Sequence, residues 1–217
     1  MRLHQWILQL MFPERCVLCR KVLKNGERDL CAVCRAEGPQ YLNRKTRVQF
    51  LDSFTAVWYY EGTVRASLLR YKFHGARGNA VPYGHLLAEK LREECSADFD
   101  ILTWVPVSPL RRLCRGYDQA ELLARSVGRA MGRKPVRTLK KIRHNPRQSG
   151  IRDSSLRRAN VSGVYTVPDP EQIRGKRVLI LDDIFTTGAT VGECARILRQ
   201  AGAKEVHCAA AAAARKR

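Results

Sequence analysis

"VLILDDIFTTGATV", residues 178–191, decides the fold. Four apolar residues, Val178 to Leu181, run straight into two adjacent carboxylates, and hydroxyls and a glycine follow at once. An unbroken apolar run of this kind reads as a strand covered on both faces, the habit of parallel sheets. Asp182 and Asp183 then stand at its carboxyl end, where open α/β sheets hold their ligands. Thr186, Thr187, Gly188, Ala189 and Thr190 come next and open a helix. Small side chains there let successive backbone N–H groups turn toward a phosphate. Threonine hydroxyls add donors, and the helix N-terminus adds positive potential. The acid pair beside such a cradle suits ribose diols or a Mg²⁺-bound diphosphate. Ribose 5-phosphate carrying a leaving group at C1 satisfies both halves.

Other phosphate sites fit less well. A Walker loop needs Gly-Lys-Ser/Thr, which is absent, and the dinucleotide fingerprint needs three spaced glycines where only Gly188 and Gly192 occur. A receiver-type acidic pocket would stand at a first strand. The plainest alternative is a capped helix after a core strand, for which two acids on an apolar run would be costly.

Working outward, strand-like and helix-like segments alternate from Phe54 onwards, the pattern of an α/β domain. Residues 54–60 ("FTAVWYY"), 101–105, 177–182 and 205–212 read as strands, and 62–74, 82–95, 118–131 and 190–201 as helices. Residues 143–160 read as a long basic loop with a helical turn near Leu156, and the alanine run 209–214 as a buried sheet edge. In "GYDQ", Gly116 permits a turn and Asp118 can cap the next helix. Tyr117 either stacks on a base or seals the sheet.

"CVLC" (Cys16, Cys19) and "CAVC" (Cys31, Cys34) lie upstream. Two Cys-x-x-Cys pairs at this separation match a Cys₄ zinc site. Four sulfurs leave no open position, so the expected Zn²⁺ is structural. Arg15, Arg20, Lys21, Lys24, Arg28 and Arg35 would offset the thiolate charge. Cys95, Cys114, Cys194 and Cys208 stand alone, and each is expected to be a small core residue. The expected organisation is residues 1–39 as an N-terminal helix plus zinc module, 40–52 as a basic connector, and 53–217 as the α/β domain.

Among 217 residues, 40 Lys and Arg against 20 Asp and Glu give a net charge of +20. That balance favours nucleic acid, phosphorylated small molecules or an anionic membrane face, with plain solvated surface as the alternative. No stretch approaches the ~20 apolar residues of a spanning helix, so no transmembrane segment is expected. Residues 1–12 lack a small-residue cleavage site and read as a short docking helix rather than a secretory signal. The expected location is cytoplasmic, with peripheral attachment at the inner membrane as a variant, and eight cysteines there do not imply disulfides.

The stretch 178–191 resembles the 5-phosphoribosyl-1-diphosphate (PRPP) motif of type I phosphoribosyltransferases. The chain resembles the ComF (competence protein F-like) family more closely still. It shares the zinc module, "YKFHG" (71–75), "VPVSPLRRLCRGYDQ" (105–119) and "RQSGIRDSSLRRANVSGVY" (147–165), in order over almost the entire chain. The resemblance implies a type I phosphoribosyltransferase-like, mostly parallel sheet flanked by helices, with a small N-terminal zinc ribbon. It implies that Thr186 to Thr190 bind the 5-phosphate of Mg-PRPP and that Asp182 and Asp183 bind the ribose hydroxyls. The 105–115 segment would be the loop that holds diphosphate, with Arg112, Arg115 and Lys72 as anion ligands. Asp118 stands where many relatives have Asn. No acceptor pocket is recognisable, so three readings remain open: a PRPP-binding protein that handles DNA, an active transferase, and a zinc-module scaffold regulated by PRPP. The family's link to natural competence implies single-stranded DNA and competence helicase or channel proteins at the inner membrane as partners. Trp58, Tyr59, Tyr60, Phe73 and Tyr117 are the rings available for stacking, and Arg143, Arg147, Arg152, Arg157 and Arg158 the flexible charge.

Overall fold

The computed structural model describes residues 13–42, 48–94, 98–143 and 162–215. Helix α1 (Ala32–Glu37) closes the cysteine module, followed by strand β1 (Ser53–Tyr59) and helices α2 (Gly62–Phe73) and α3 (Ala80–Glu94). Next come β2 (Ile101–Trp104), α4 (Pro109–Arg115) and α5 (Gln119–Met131), then the short strands β3 (Lys140–Lys141) and β4 (Tyr165–Thr166). Strand β5 (Arg177–Phe185), helix α6 (Ala189–Gln200) and strand β6 (Glu205–Ala213) complete the order.

Four strands form one parallel sheet in the order β1-β6-β5-β2. Both faces are covered, and side chains alternate between them. Leu179 and Leu181 of β5 join one core with Leu87 of α3 and Leu123 of α5. Val178 and Ile180 join the other, with Val191 and Leu198 of α6. This two-sided burial explains why β5 reads as a continuous apolar run.

Several sequence expectations change. The alanine run is no sheet edge: β6 lies between β1 and β5, and its residues 209–213 are at most 1% exposed. Strand β5 continues past Asp182 to Phe185, because β6 supplies ladder partners as far as Ala213. The 105–115 segment is not all loop. Ser108 accepts from the Arg111 N–H, Pro109 occupies the first helical turn, and Gly116 ends α4 in the left-handed conformation at φ 74°. Among the isolated cysteines Cys194 and Cys208 are buried, but Cys114 is exposed, since α4 projects from the sheet without burying a residue. Cys95 lies outside the described residues, as do residues 1–12 and 144–161, where the long basic loop was expected.

The cysteine module packs on α2 and α3. Ser67 donates to the Val17 carbonyl, and Arg70 Nη2 donates to the Leu18 carbonyl at 2.6 Å. Asp29 pairs with His85 of α3 at 3.2 Å. No helix among the described residues is long and apolar enough to cross a membrane.

Candidate functional site

The carboxyl end of β5 opens into a cleft of about 470 Å³, within the usual range for small-molecule sites. Asp182, Asp183, Thr186 and Thr190 line one side of it. Helix α2 contributes Lys72 and Phe73, and α4 contributes Arg111 and Arg115. The β3–β4 hairpin contributes Lys141 and Tyr165.

The two acids are not equivalent. Asp183 is buried and held by Lys72, whose Nζ lies 3.0 Å from Oδ1 and 2.9 Å from Oδ2. Asp182 is half-buried and accepts from the Asp183 N–H at 2.8 Å. Burial, reinforced by the Asp183 charge, pushes its carboxyl well above the usual carboxylate range. Lys72 therefore belongs partly to the protein's own charge balance.

Thr187, Gly188 and Ala189 make the turn between Thr186 and Thr190. Gly188 caps α6 at φ 78°, where a β-carbon would come within 2.6 Å of Val48 Cγ2 and 2.8 Å of Phe185 Cζ. Glycine is thus required both by backbone angle and by space. The Ala189 N–H points at Thr187 Oγ1, 3.4 Å away.

Arg115 and Arg112 part company. Arg115 donates to Gln119 Oε1 at 3.0 Å and lies over the Phe73 ring at 5.0 Å, on the cleft. Arg112 lies near Glu121, 3.7 Å away, and lines a separate cavity with Trp104 and Arg137. On α4 the i, i+4 pair Arg111 and Arg115 makes the face turned to the cleft, and Arg112, one position after Arg111, is carried about 100° round the helix. Asp118 bridges the region, accepting from the Val107 N–H at 3.0 Å and the Glu121 N–H at 3.1 Å.

Of the rings considered for stacking, Trp58, Tyr59 and Tyr117 are buried, and only Phe73 is well exposed, at 49%. Arg147, Arg152, Arg157 and Arg158 lie outside the described residues. Lys141 and Tyr165 were not singled out in the sequence, because nothing local marks a two-residue strand that returns to the cleft; within the 105–115 segment Arg112 and Arg115 were named and Arg111 was not.

The second centre is the cysteine cluster. The sulfurs of Cys16, Cys19, Cys31 and Cys34 all lie within 4.8 Å of one another, with Cys19 and Cys31 3.6 Å apart. A tetrahedral Zn²⁺ with bonds near 2.3 Å sets sulfurs roughly 3.8 Å apart, so the donor set fits a closed, structural zinc site.

Comparison with known proteins finds two matching family models. Residues 7–45 match the double zinc ribbon domain, and residues 114–217 match the phosphoribosyl transferase domain. "Competence protein F" of Haemophilus influenzae is 23% identical over 218 residues, covering 90% of this chain and 95% of that protein. "Competence protein ComFC" of Streptococcus pneumoniae is 30% identical over 159 residues, covering 71% of this chain and 65% of that one. "DNA utilization protein YhgH" of Salmonella typhimurium is 30% identical over 108 residues, or 49% of this chain and 46% of its own.

Proposed function

The chain belongs to the ComF family, phosphoribosyltransferase-like with an N-terminal zinc ribbon, and from that premise we propose that it binds Mg-PRPP at the end of β5 and handles single-stranded DNA beside it, in DNA uptake during competence. One observation carries the first half. An acid pair, two threonines of a helix-opening turn and the basic side chains of Lys72 and Arg115 converge on one cleft. The turn's amides and hydroxyls suit the 5-phosphate, the carboxylate of Asp182 suits the ribose hydroxyls, and Arg115 suits the diphosphate. Mg²⁺ arrives as part of the ligand and offsets the diphosphate charge.

The DNA half rests on charge and on Phe73. A strand is held without sequence preference by cationic side chains and an exposed ring. Arg65, Lys72, Arg111 and Arg115 frame the cleft on which Phe73 lies. The names of the competence and DNA-utilization relatives support the same role. Competence helicase or channel proteins at the inner membrane are the partners this reading implies.

Calorimetric titration with Mg-PRPP tests the ligand. Asp182→Asn and Thr187→Ala are each expected to weaken binding at least about tenfold. Unchanged affinity in both would overturn the site. Gel shifts with single-stranded DNA across a salt series test the second half. The expected result is affinity that falls steeply with salt and is weakened by Phe73→Ala. Binding no better than that of an unrelated basic protein would remove the DNA role.

A further inference from the structure

Lys141 is a buried cation that no carboxylate of the described residues pairs directly. It is only 7% exposed, and its ammonium forms no ion pair or hydrogen bond among the described residues. Buried lysines ordinarily have a carboxylate partner, as Lys72 has Asp183. The Lys141 Nζ lies 5.3 Å from the centroid of the Tyr165 ring. Both residues line the cleft, and so does a second cation, Arg111. The Arg111 charge disfavours the Lys141 ammonium, and an anion bound at Lys141 would offset that. The cleft's own acids leave that place open: Asp183 is taken by Lys72, and Asp182 favours the Lys141 charge from a distance without forming an ion pair with it.

We infer that Lys141 is a phosphate ligand of the cleft, holding an oxyanion against the Tyr165 wall. The inference rests on the phosphoribosyl reading and adds to it a residue on the β3–β4 hairpin. The phosphate belongs either to PRPP itself or to a second phosphorylated ligand that enters beside it. Burial, together with the charge of Arg111, lowers the Lys141 ammonium to about 8, so it stays cationic at neutral pH and gives up its proton in mild alkali. The charged or titratable groups around it are Arg111, Asp182, Cys194 and Tyr165. The first keeps its charge, and burial holds the thiol and the phenol protonated.

The experiment compares wild type, Lys141→Gln and Lys141→Arg against three probes by calorimetry: ribose 5-phosphate, inorganic diphosphate and Mg-PRPP. A fourth titration adds inorganic phosphate to the protein saturated with Mg-PRPP. Lys141→Gln is expected to weaken at least one of these about tenfold or more, with Lys141→Arg restoring most of it. Loss on diphosphate and Mg-PRPP assigns the leaving group, and loss in the fourth titration assigns a second ligand. From pH 7 to pH 9 the wild-type affinity should fall relative to that of Lys141→Arg, a difference that cancels any contribution of Asp182. Thermal unfolding supplies the control, because removing an unpaired buried charge leaves Tm unchanged or raised, whereas a structural lysine would lower it. Equal affinities for every probe in Lys141→Gln and wild type overturn the assignment and leave PRPP binding standing. Failure of wild type to bind any probe overturns both.

Discussion

Arg70 donates to the Leu18 carbonyl of the zinc module from the same helix whose last turn presents Lys72 to Asp183. The metal centre and the cleft therefore share one rigid element, α2, two residues apart along the chain. Arg70→Ala removes a hydrogen bond from a charged donor, worth about 1.5–3 kcal/mol. At roughly 2–4 °C per kcal/mol for a chain of this size, Tm should fall by about 3–12 °C.

Metal removal should act through the same path. Chelation of zinc, or Cys31→Ser, is expected to lower Tm further than Arg70→Ala and to weaken Mg-PRPP binding as well. Parallel thermal melts and titrations check this. Wild-type affinity in a protein that has lost its zinc would mean that α2 holds its position without the module.

Lys72→Met leaves the Asp183 carboxylate buried without its cation. Breaking a buried pair costs about 3–5 kcal/mol, and the partial exposure of Lys72 puts this one at the lower end. The double variant with Asp183→Asn should recover much of the loss. Urea unfolding of the four proteins gives the coupling directly, and additive losses would show that the pair contributes nothing.

Gly188→Ala is expected to lower stability by about 1–2 kcal/mol from the left-handed backbone alone. The contacts with Val48 and Phe185 add to this, since the new methyl would meet both. Mg-PRPP affinity should fall at the same time, because the turn that bears Thr186 and Thr187 must shift. A melt and a titration on one sample decide it.

Asp182 gives a pH signature. Its carboxyl sits well above its unfolded value, chiefly through burial and then through the Asp183 charge. An acid shifted upward stabilises the fold while protonated, so its contribution is full in acid. It is lost as the pH rises from the unfolded value, about 3.9, through the raised folded one. Asp182→Asn should therefore be more stable than wild type at pH 7 while binding Mg-PRPP less well. Accepting ribose hydroxyls requires the ionised form, so ligand binding at a pH below the raised folded value should release protons. Calorimetry in two buffers of different ionisation enthalpy measures that release, and equal heats would contradict it.

The parts that local chemistry fixes were legible in advance. The apolar run before Asp182, the glycine in its turn, the Asp118 cap and the doubled Cys-x-x-Cys each identify themselves within a few residues. Helix α4 was legible too, in the Ser108-Pro109 start and the Gly116 stop, but the family likeness to a diphosphate loop masked it. Other features depend on residues far apart. Nothing near Lys141 announces that Tyr165 will pair beside it, and nothing near Asp183 shows that Lys72, 111 positions earlier, will neutralise it. The burial of Trp58 has the same origin: its ring meets Tyr83 of α3 edge-on, a contact between elements that periodicity does not record.

The placement of β6 also governs assembly. Among the described residues, the one full strand that pairs with Ser53–Tyr59 is Glu205–Ala213, which also pairs with β5; on its other side β1 has only a short bridge to Gln40. On a ribosome, this strand must wait until nearly all the described chain has emerged before its parallel partner exists. Long-range pairing of this kind makes folding slow. The zinc ribbon, whose ligands span only residues 16–34, can close on its metal long before that wait is over.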